Sequence, residues 1–268
     1  MRMETERPVD QCRYRFFDSH LHIIDPRFPL TPNQGYLPAP FTVADYRART
    51  AAYDVVGGAV VSGSFQGFDQ TYLLDALGRL GPGFVGVTQL PATVSDQEVL
   101  TLDAAGVRAV RWNVRRGGSE SLDRLEELAW RVFDLAGWHV ELYVDARDLV
   151  DLEARVLGLP RVSIDHLGLS RDGFAVLLRL AERGVRVKAT GFGRGDLDVP
   201  LALRALYAAN PEVLVFGTDL PSTRAPRPFA DTDVALVLET LGERLGARVL
   251  CDNAVSFYRM PNVIDLSK

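Results

Sequence analysis

Phe16-Phe-Asp-Ser-His-Leu-His22 is an apolar run that ends in two histidines, and what surrounds it decides the fold. Side chains of a strand alternate between faces, which puts Asp18, His20 and His22 on one side and Phe17, Ser19 and Leu21 on the other. Same-face neighbours lie roughly 6.6 Å apart, so the two imidazoles can lean onto one bound atom, such as a zinc ion. An open doubly wound sheet would place a Gly-rich phosphate turn directly after this strand. Here residues 23–40 follow instead, eighteen residues with five prolines, too long and too broken for a simple connection. They read as a lid over the strand end.

Beyond the lid, helical and strand periodicities alternate without interruption. Strands are expected over 55–63, 83–90, 106–113, 138–145, 161–168, 185–191 and 213–219. Helices are expected over 43–53, 68–80, 121–137, 148–158, 172–184 and 200–210, with a further one opened by the capping box Ser95-x-x-Glu98. Two closing helices follow, over 232–246 and 253–260. Eight strands joined by helical crossovers imply parallel pairing and a closed cylinder. The expected fold is an α/β single (β/α)8 TIM barrel over 14–260 with additional C-terminal helices, a flexible N-terminus at 1–13 and a tail at 261–268.

With 268 residues, 47% of them hydrophobic, the chain can bury a large core. A formal charge of −5 with both signs interspersed lacks the basic stripe of a nucleic-acid surface, so a small-molecule substrate is the expected partner, with a homo-oligomer left open. The N-terminus has no apolar core and no run approaches the length of a membrane span. Cys12 and Cys251 stand far apart, in no redox or metal spacing. A cytoplasmic location is expected.

In such a barrel the chemistry gathers where strands end. Those positions hold His20 and His22, Arg111, Tyr143, His166 and Asp219. Three of the chain's four histidines converge with a carboxylate, the composition a metal or an oxyanion site needs. Asp219 could otherwise cap the next helix, and His166 could be a core histidine. Arg111 would face an anionic substrate or a developing oxyanion, or else a structural ion pair. Lys188, one of two lysines, could tune Asp219 or pair with Glu141 across the barrel, the second being the preferred reading. His139 starts its strand at the opposite mouth and reads as structural, and Tyr143 could donate to substrate or pack. Arg224 and Arg227 read as solvated loop charges.

Asp18-Ser-His-Leu-His22, Ile164-Asp-His-Leu-Gly168 and Gly217-Thr-Asp-Leu-Pro221 resemble the motifs of the amidohydrolase superfamily. Ser64-Phe-Gln-Gly-Phe-Asp69, Gly106-Val-Arg-Ala-Val-Arg111 and Gly137-Trp-His-Val-Glu-Leu142 narrow the resemblance to the lactonase branch that includes 2-pyrone-4,6-dicarboxylate lactonase. It implies hydrolysis of a lactone, with Asp219 as general base and His20, His22 and His166 polarising the carbonyl. Arg194 stands where the family places a substrate arginine, and Arg115 and Arg116 are further candidates. The resemblance leaves two oxyanion schemes open, a divalent metal (zinc foremost) held by His20, His22, His166 and Asp219, or metal-independent hydrogen bonding. Leu169, Leu220 and Ser222 replace the family's Arg, Trp and His, which implies a different substrate. The other readings are a metal-dependent decarboxylase and a barrel that binds an organic acid without turnover.

Overall fold

A computed structural model describes residues 14–260; the expected flexible segment 1–13, with Cys12, and the tail 261–268 lie outside the described residues. Eight strands follow one another around a single sheet: β1 (Arg15–Leu21), β2 (Asp54–Val61), β3 (Phe84–Thr88), β4 (Val107–Trp112), β5 (His139–Leu142), β6 (Val162–Ile164), β7 (Arg186–Ala189) and β8 (Leu214–Phe216). Every ladder from β1–β2 to β7–β8 is parallel. The crossovers carry α1 (Val43–Thr50), α2 (Thr71–Leu80), α3 (Asp96–Ala104), α4 (Leu125–Ala136), α5 (Leu149–Leu157), α6 (Phe174–Glu182) and α7 (Val199–Ala209). The Ser95–Glu98 box opens α3 with both of its reciprocal bonds formed. The expected helix over 232–246 is broken at Gly242, whose φ of 80° leaves the helical region, into α8 (Thr232–Leu241) and α9 (Glu243–Ala247). A π turn then leads to α10 (Asn253–Phe257).

Two apolar layers follow from the strand alternation. Val60, Val110, Val140, Ile164 and Leu214 face outward against Leu73, Leu128, Val132, Leu177 and Leu206 of the helices. Phe17, Ala59, Val61, Val85, Val87, Ala109 and Val215 face inward, where Ala254, Val255 and Phe257 of α10 join them with Tyr258. The C-terminal helix therefore stoppers the mouth where the strands begin, and the chemistry is confined to the other end.

Between β8 and β1 polar groups close the cylinder. Asp219 N donates to His20 O (2.7 Å) and His22 N to Leu220 O (2.8 Å). The Asp18 carboxylate accepts from Thr218 N (2.8 Å), Thr218 Oγ1 (2.7 Å) and the Tyr46 hydroxyl of α1 (3.1 Å). Asp18 thus does not share the face of His20 and His22. The β1–β2 register shifts between Asp18 and Leu21, so strict alternation fails there: Phe17 and both histidines point inward while Asp18 turns to the seam.

The lid is pinned down. Ile24 bridges Phe41, Thr31 N donates to Phe65 O (2.8 Å), and Asn33 and Gln34 both donate to the Arg116 carbonyl.

Candidate active site

At the C-terminal mouth, Asp219 Oδ1 lies 4.0, 3.9 and 3.9 Å from the Nε2 atoms of His20, His22 and His166. All four side chains are buried. His20 comes from within β1, His22 from just past it, His166 from past β6 and Asp219 from past β8, so four separate backbone anchors converge on one carboxylate oxygen. Asp219 and His166 have φ of 61° and 52°, left-handed values that cost a non-glycine residue about 1–3 kcal/mol each. The turns that impose them aim both side chains into the mouth.

Each imidazole is oriented from behind. The Val61 carbonyl can only accept, so His22 donates to it through Nδ1 (2.7 Å) and presents a bare Nε2 lone pair to the site. His166 Nδ1 meets Thr190 Oγ1 at 2.7 Å. His20 Nδ1 lies 3.1 Å from Lys188 Nζ. An ammonium has donors only, so the Lys188 proton fills Nδ1 and leaves the His20 proton on Nε2, a buried atom with no partner among the described residues. One histidine of the pair is therefore an acceptor and the other a donor. Burial lowers the pKa of all three rings, well below the ordinary value for His22 and His166, which keeps them neutral at pH 7.

A chain of buried ions runs beneath. Lys188 pairs with Glu141, as the sequence reading preferred, and also lies 3.5 Å from Asp165 Oδ1; it does not reach Asp219. Burial pushes the Glu141 carboxyl up, but Lys188 and His139 outweigh it and hold it down to about 2. His139 Nε2 and the Tyr258 hydroxyl sit 3.1 and 2.7 Å from Glu141 Oε1 at the stoppered end. Arg111 spends its donors on Asp165 (3.1 and 2.8 Å) and Ser62 O (2.8 Å) while one edge still lines the site cavity. Two cations and two carboxylates cancel, and this column is neutral.

Asp165 and Thr190 were given no role in the sequence reading. Asp165 stands inside the Ile164–Gly168 motif, and asking what neutralises Arg111 and Lys188 would have found it.

Arg194 holds Asp219 through both carboxylate oxygens, Nε to Oδ2 at 2.6 Å and Nη2 to Oδ1 at 3.0 Å. Tyr143 stands edge-on to His166 with centroids 5.2 Å apart and lies under the Arg111 guanidinium. Arg115 lies at the rim of the outer cavity, its side chain 43% exposed and 3.5 Å from Asp145. Its neighbour Arg116 lines the site and has no side-chain partner among the described residues. Arg224 corrects the expectation of a solvated charge. It is half-buried, its guanidinium lies 4.3 Å over the Tyr36 ring and it donates to Asn33 of the lid. Arg227 remains an exposed ion pair with Asp233. Of the family departures, Ser222 accepts from Phe229 N (3.0 Å), Leu220 is buried in the core and Leu169 lines the outer chamber.

Two cavities meet here. An inner one of about 40 Å³ touches His22, His166, Arg111 and the lid's Tyr36, and an outer one of about 410 Å³ reaches Asp145, Leu169 and Asp196. Arg116, Tyr143, Arg194 and Arg224 border both.

The donor set suits a divalent cation: nitrogen and oxygen atoms of His20, His22 and Asp219 lie within 4.8 Å of one another, and His20 Nε2 is a buried, unpartnered polar atom. Held this way, His20 would carry its proton on Nδ1, toward Asp165 Oδ1 at 3.4 Å.

Residues 17–260 match the amidohydrolase family model. Among characterised relatives, a 2-pyrone-4,6-dicarboxylate hydrolase of Comamonas testosteroni is 34% identical over 230 residues, covering 81% of this chain and 75% of its own. A D-galactarolactone isomerase of Agrobacterium fabrum is 27% identical over 92% of this chain and 91% of its own. The apo crystal structure of an Agrobacterium tumefaciens protein superposes with a TM-score of 0.81 at 25% identity, over 94% of this chain and 99% of that one.

Proposed function

The chain belongs to the amidohydrolase family, and from that premise we propose that it is a hydrolase that opens a carboxylate-bearing lactone. The observation that carries the reading is the ring of three Nε2 atoms 3.9–4.0 Å around Asp219 Oδ1 at the barrel mouth. Two relatives named for lactone chemistry support it. Arg116, Arg194 and Arg224 around the cavities favour an acidic ring over a neutral one.

Asp219 accepts a proton from a water that attacks the lactone carbonyl, the lone pair of His22 Nε2 orients that water, and the His20 Nε2–H donates to the oxygen that becomes negative. Collapse breaks the ring C–O bond, the proton held on Asp219 passes to the departing ring oxygen, and the new carboxylic acid releases the second proton of the water to solvent, giving a carboxylate and a hydroxyl on one open chain. A zinc ion or similar cation, when bound by His20, His22 and Asp219, supplies Lewis-acid polarisation of the carbonyl and acidifies water. A cytoplasmic setting suits this chemistry and the free, buried Cys251.

The test is a panel of mono- and dicarboxylated lactones assayed by acid release in ¹⁸O-water, with metal analysis of the same sample. Uptake of one solvent oxygen into the product and its loss in Asp219→Asn are expected. Isomerisation without solvent oxygen would move the assignment to a lactone isomerase, carbon dioxide release to a decarboxylase, and saturable binding without product to a binding barrel.

A further inference from the structure

Arg194 occupies a position that a simple substrate ligand would not need. Its guanidinium is paired with both oxygens of Asp219, the group that has to accept a proton, and its side chain is only 7% exposed. The guanidinium fork occupies both carboxylate oxygens, so neither is turned to a water while the pair stands. The same side chain stands in the partition between the two cavities. At about 40 Å³ the inner cavity falls far below the roughly 300–1,000 Å³ of ligand pockets, while the outer one, at about 410 Å³, lies within that range. A ring fits the outer chamber and not the inner one, and Arg194 is one of the four side chains that border both.

The loop that carries Arg194 is closely packed. A Cβ at Gly195 would fall 1.8 Å from the Leu169 carbonyl oxygen and one at Gly191 2.8 Å from His166 Nδ1, and Arg194 N donates to Gly191 O at 2.8 Å. The rearrangement considered is therefore one of the side chain's own torsions. Swinging it outward merges the chambers and bares Asp219 together. Left without a partner, the buried guanidinium would resist that motion, so the exchange needs a second anion to receive it.

We propose that Arg194 is an internal plug released by substrate: an anionic group on the incoming lactone takes the guanidinium from Asp219, opening the inner chamber and freeing the base in one exchange. This rests on the lactonase reading and adds to it that the acid group is required for turnover as well as for binding. A neutral lactone of the same size offers nothing to Arg194, so Asp219 stays paired with it when that ring binds.

The experiment has two arms. Kinetics of the wild-type enzyme, Arg194→Gln and Arg194→Lys are compared on a carboxylated lactone and its neutral methyl ester, with folding checked by thermal melting. In Arg194→Gln, kcat on the neutral ring is expected to rise while KM for the carboxylated ring increases, so that the kcat preference for the acid shrinks on the order of tenfold. Arg194→Lys, which keeps the charge but loses the fork, is expected to lie between. Equal losses on both substrates would overturn the proposal. The second arm needs no turnover: a crystal structure with benzene-1,3-dicarboxylate should show Arg194 on the ligand and off Asp219. Arg194 still bound to Asp219 in that complex, or turned away from it without any anion or in favour of a metal ion, would overturn it. If no lactone is opened by the wild-type protein, the lactonase reading fails while this second arm still reports on the plug.

Discussion

Asp18 and Thr218 are joined twice, the Thr218 amide and hydroxyl donating to the two oxygens of one buried carboxylate at 2.8 and 2.7 Å. This clasp lies where β8 meets β1, one residue before Asp219 and two before His20. It ties the stability of the seam to the geometry of the site. Asp18→Ala should strand both donors and the Tyr46 hydroxyl and cost about 2–4 kcal/mol, measured by urea unfolding. Thr218→Val, which removes only the hydroxyl, should cost about 1 kcal/mol.

Lys188 fixes which nitrogen of His20 carries the proton. In Lys188→Met the ring is expected to exchange its Nε2 proton for an Nδ1 proton aimed at Asp165, readable in ¹⁵N imidazole shifts. Losing that donor should lower kcat by roughly 10- to 100-fold with little change in KM. The variant also strands Glu141, at a cost of about 3–5 kcal/mol. Pairing it with Glu141→Gln should recover stability without recovering kcat, which separates the tautomer from the fold.

Glu141 gives stability a defined acid limb. Its carboxyl is held at about 2 in the fold against an ordinary 4.5, so the unfolded chain takes up its proton first as pH falls. The advantage of the wild type over Glu141→Gln should therefore be fully present above about pH 4.5, amount to about 3 kcal/mol, and vanish as pH approaches 2. Chemical denaturation of both proteins from pH 7 to pH 2 measures it, and a constant difference would contradict it.

Adjacent arginines should behave unequally. Arg116→Ala is expected to raise KM for a dicarboxylated lactone about tenfold, with the effect shrinking at high salt. Arg115→Ala, at an exposed rim ion pair, should change KM less than about twofold.

What the sequence could and could not reveal divides along the range of the cause. The alternation of eight strands and helices is local periodicity, as is the Ser95–Glu98 cap, so the barrel and the strand-end positions of His20, His22, His166 and Asp219 were readable. The facing of Asp18 was not, because the register of β1 shifts there and the carboxylate is held by Thr218, 200 residues away. Arg115 and Arg116 have the same chemistry in the same loop, and only the loop's course turns one inward and the other to the rim. Arg224 looked solvated in a proline-rich, charged stretch; its place is set by Tyr36 and Asn33, far off in the lid. Asp165 was hidden by the attention its neighbour His166 draws.

The neutral column of Glu141, Lys188, Asp165 and Arg111 also bears on how such a barrel can change over evolutionary time. Losing any one member strands a buried opposite charge, a penalty of about 3–5 kcal/mol that a marginally stable protein tolerates poorly. Divergence along this axis should proceed by compensated double replacements, an acid departing with its base. Arg116 at the mouth, which has no side-chain partner among the described residues, is free to be replaced singly.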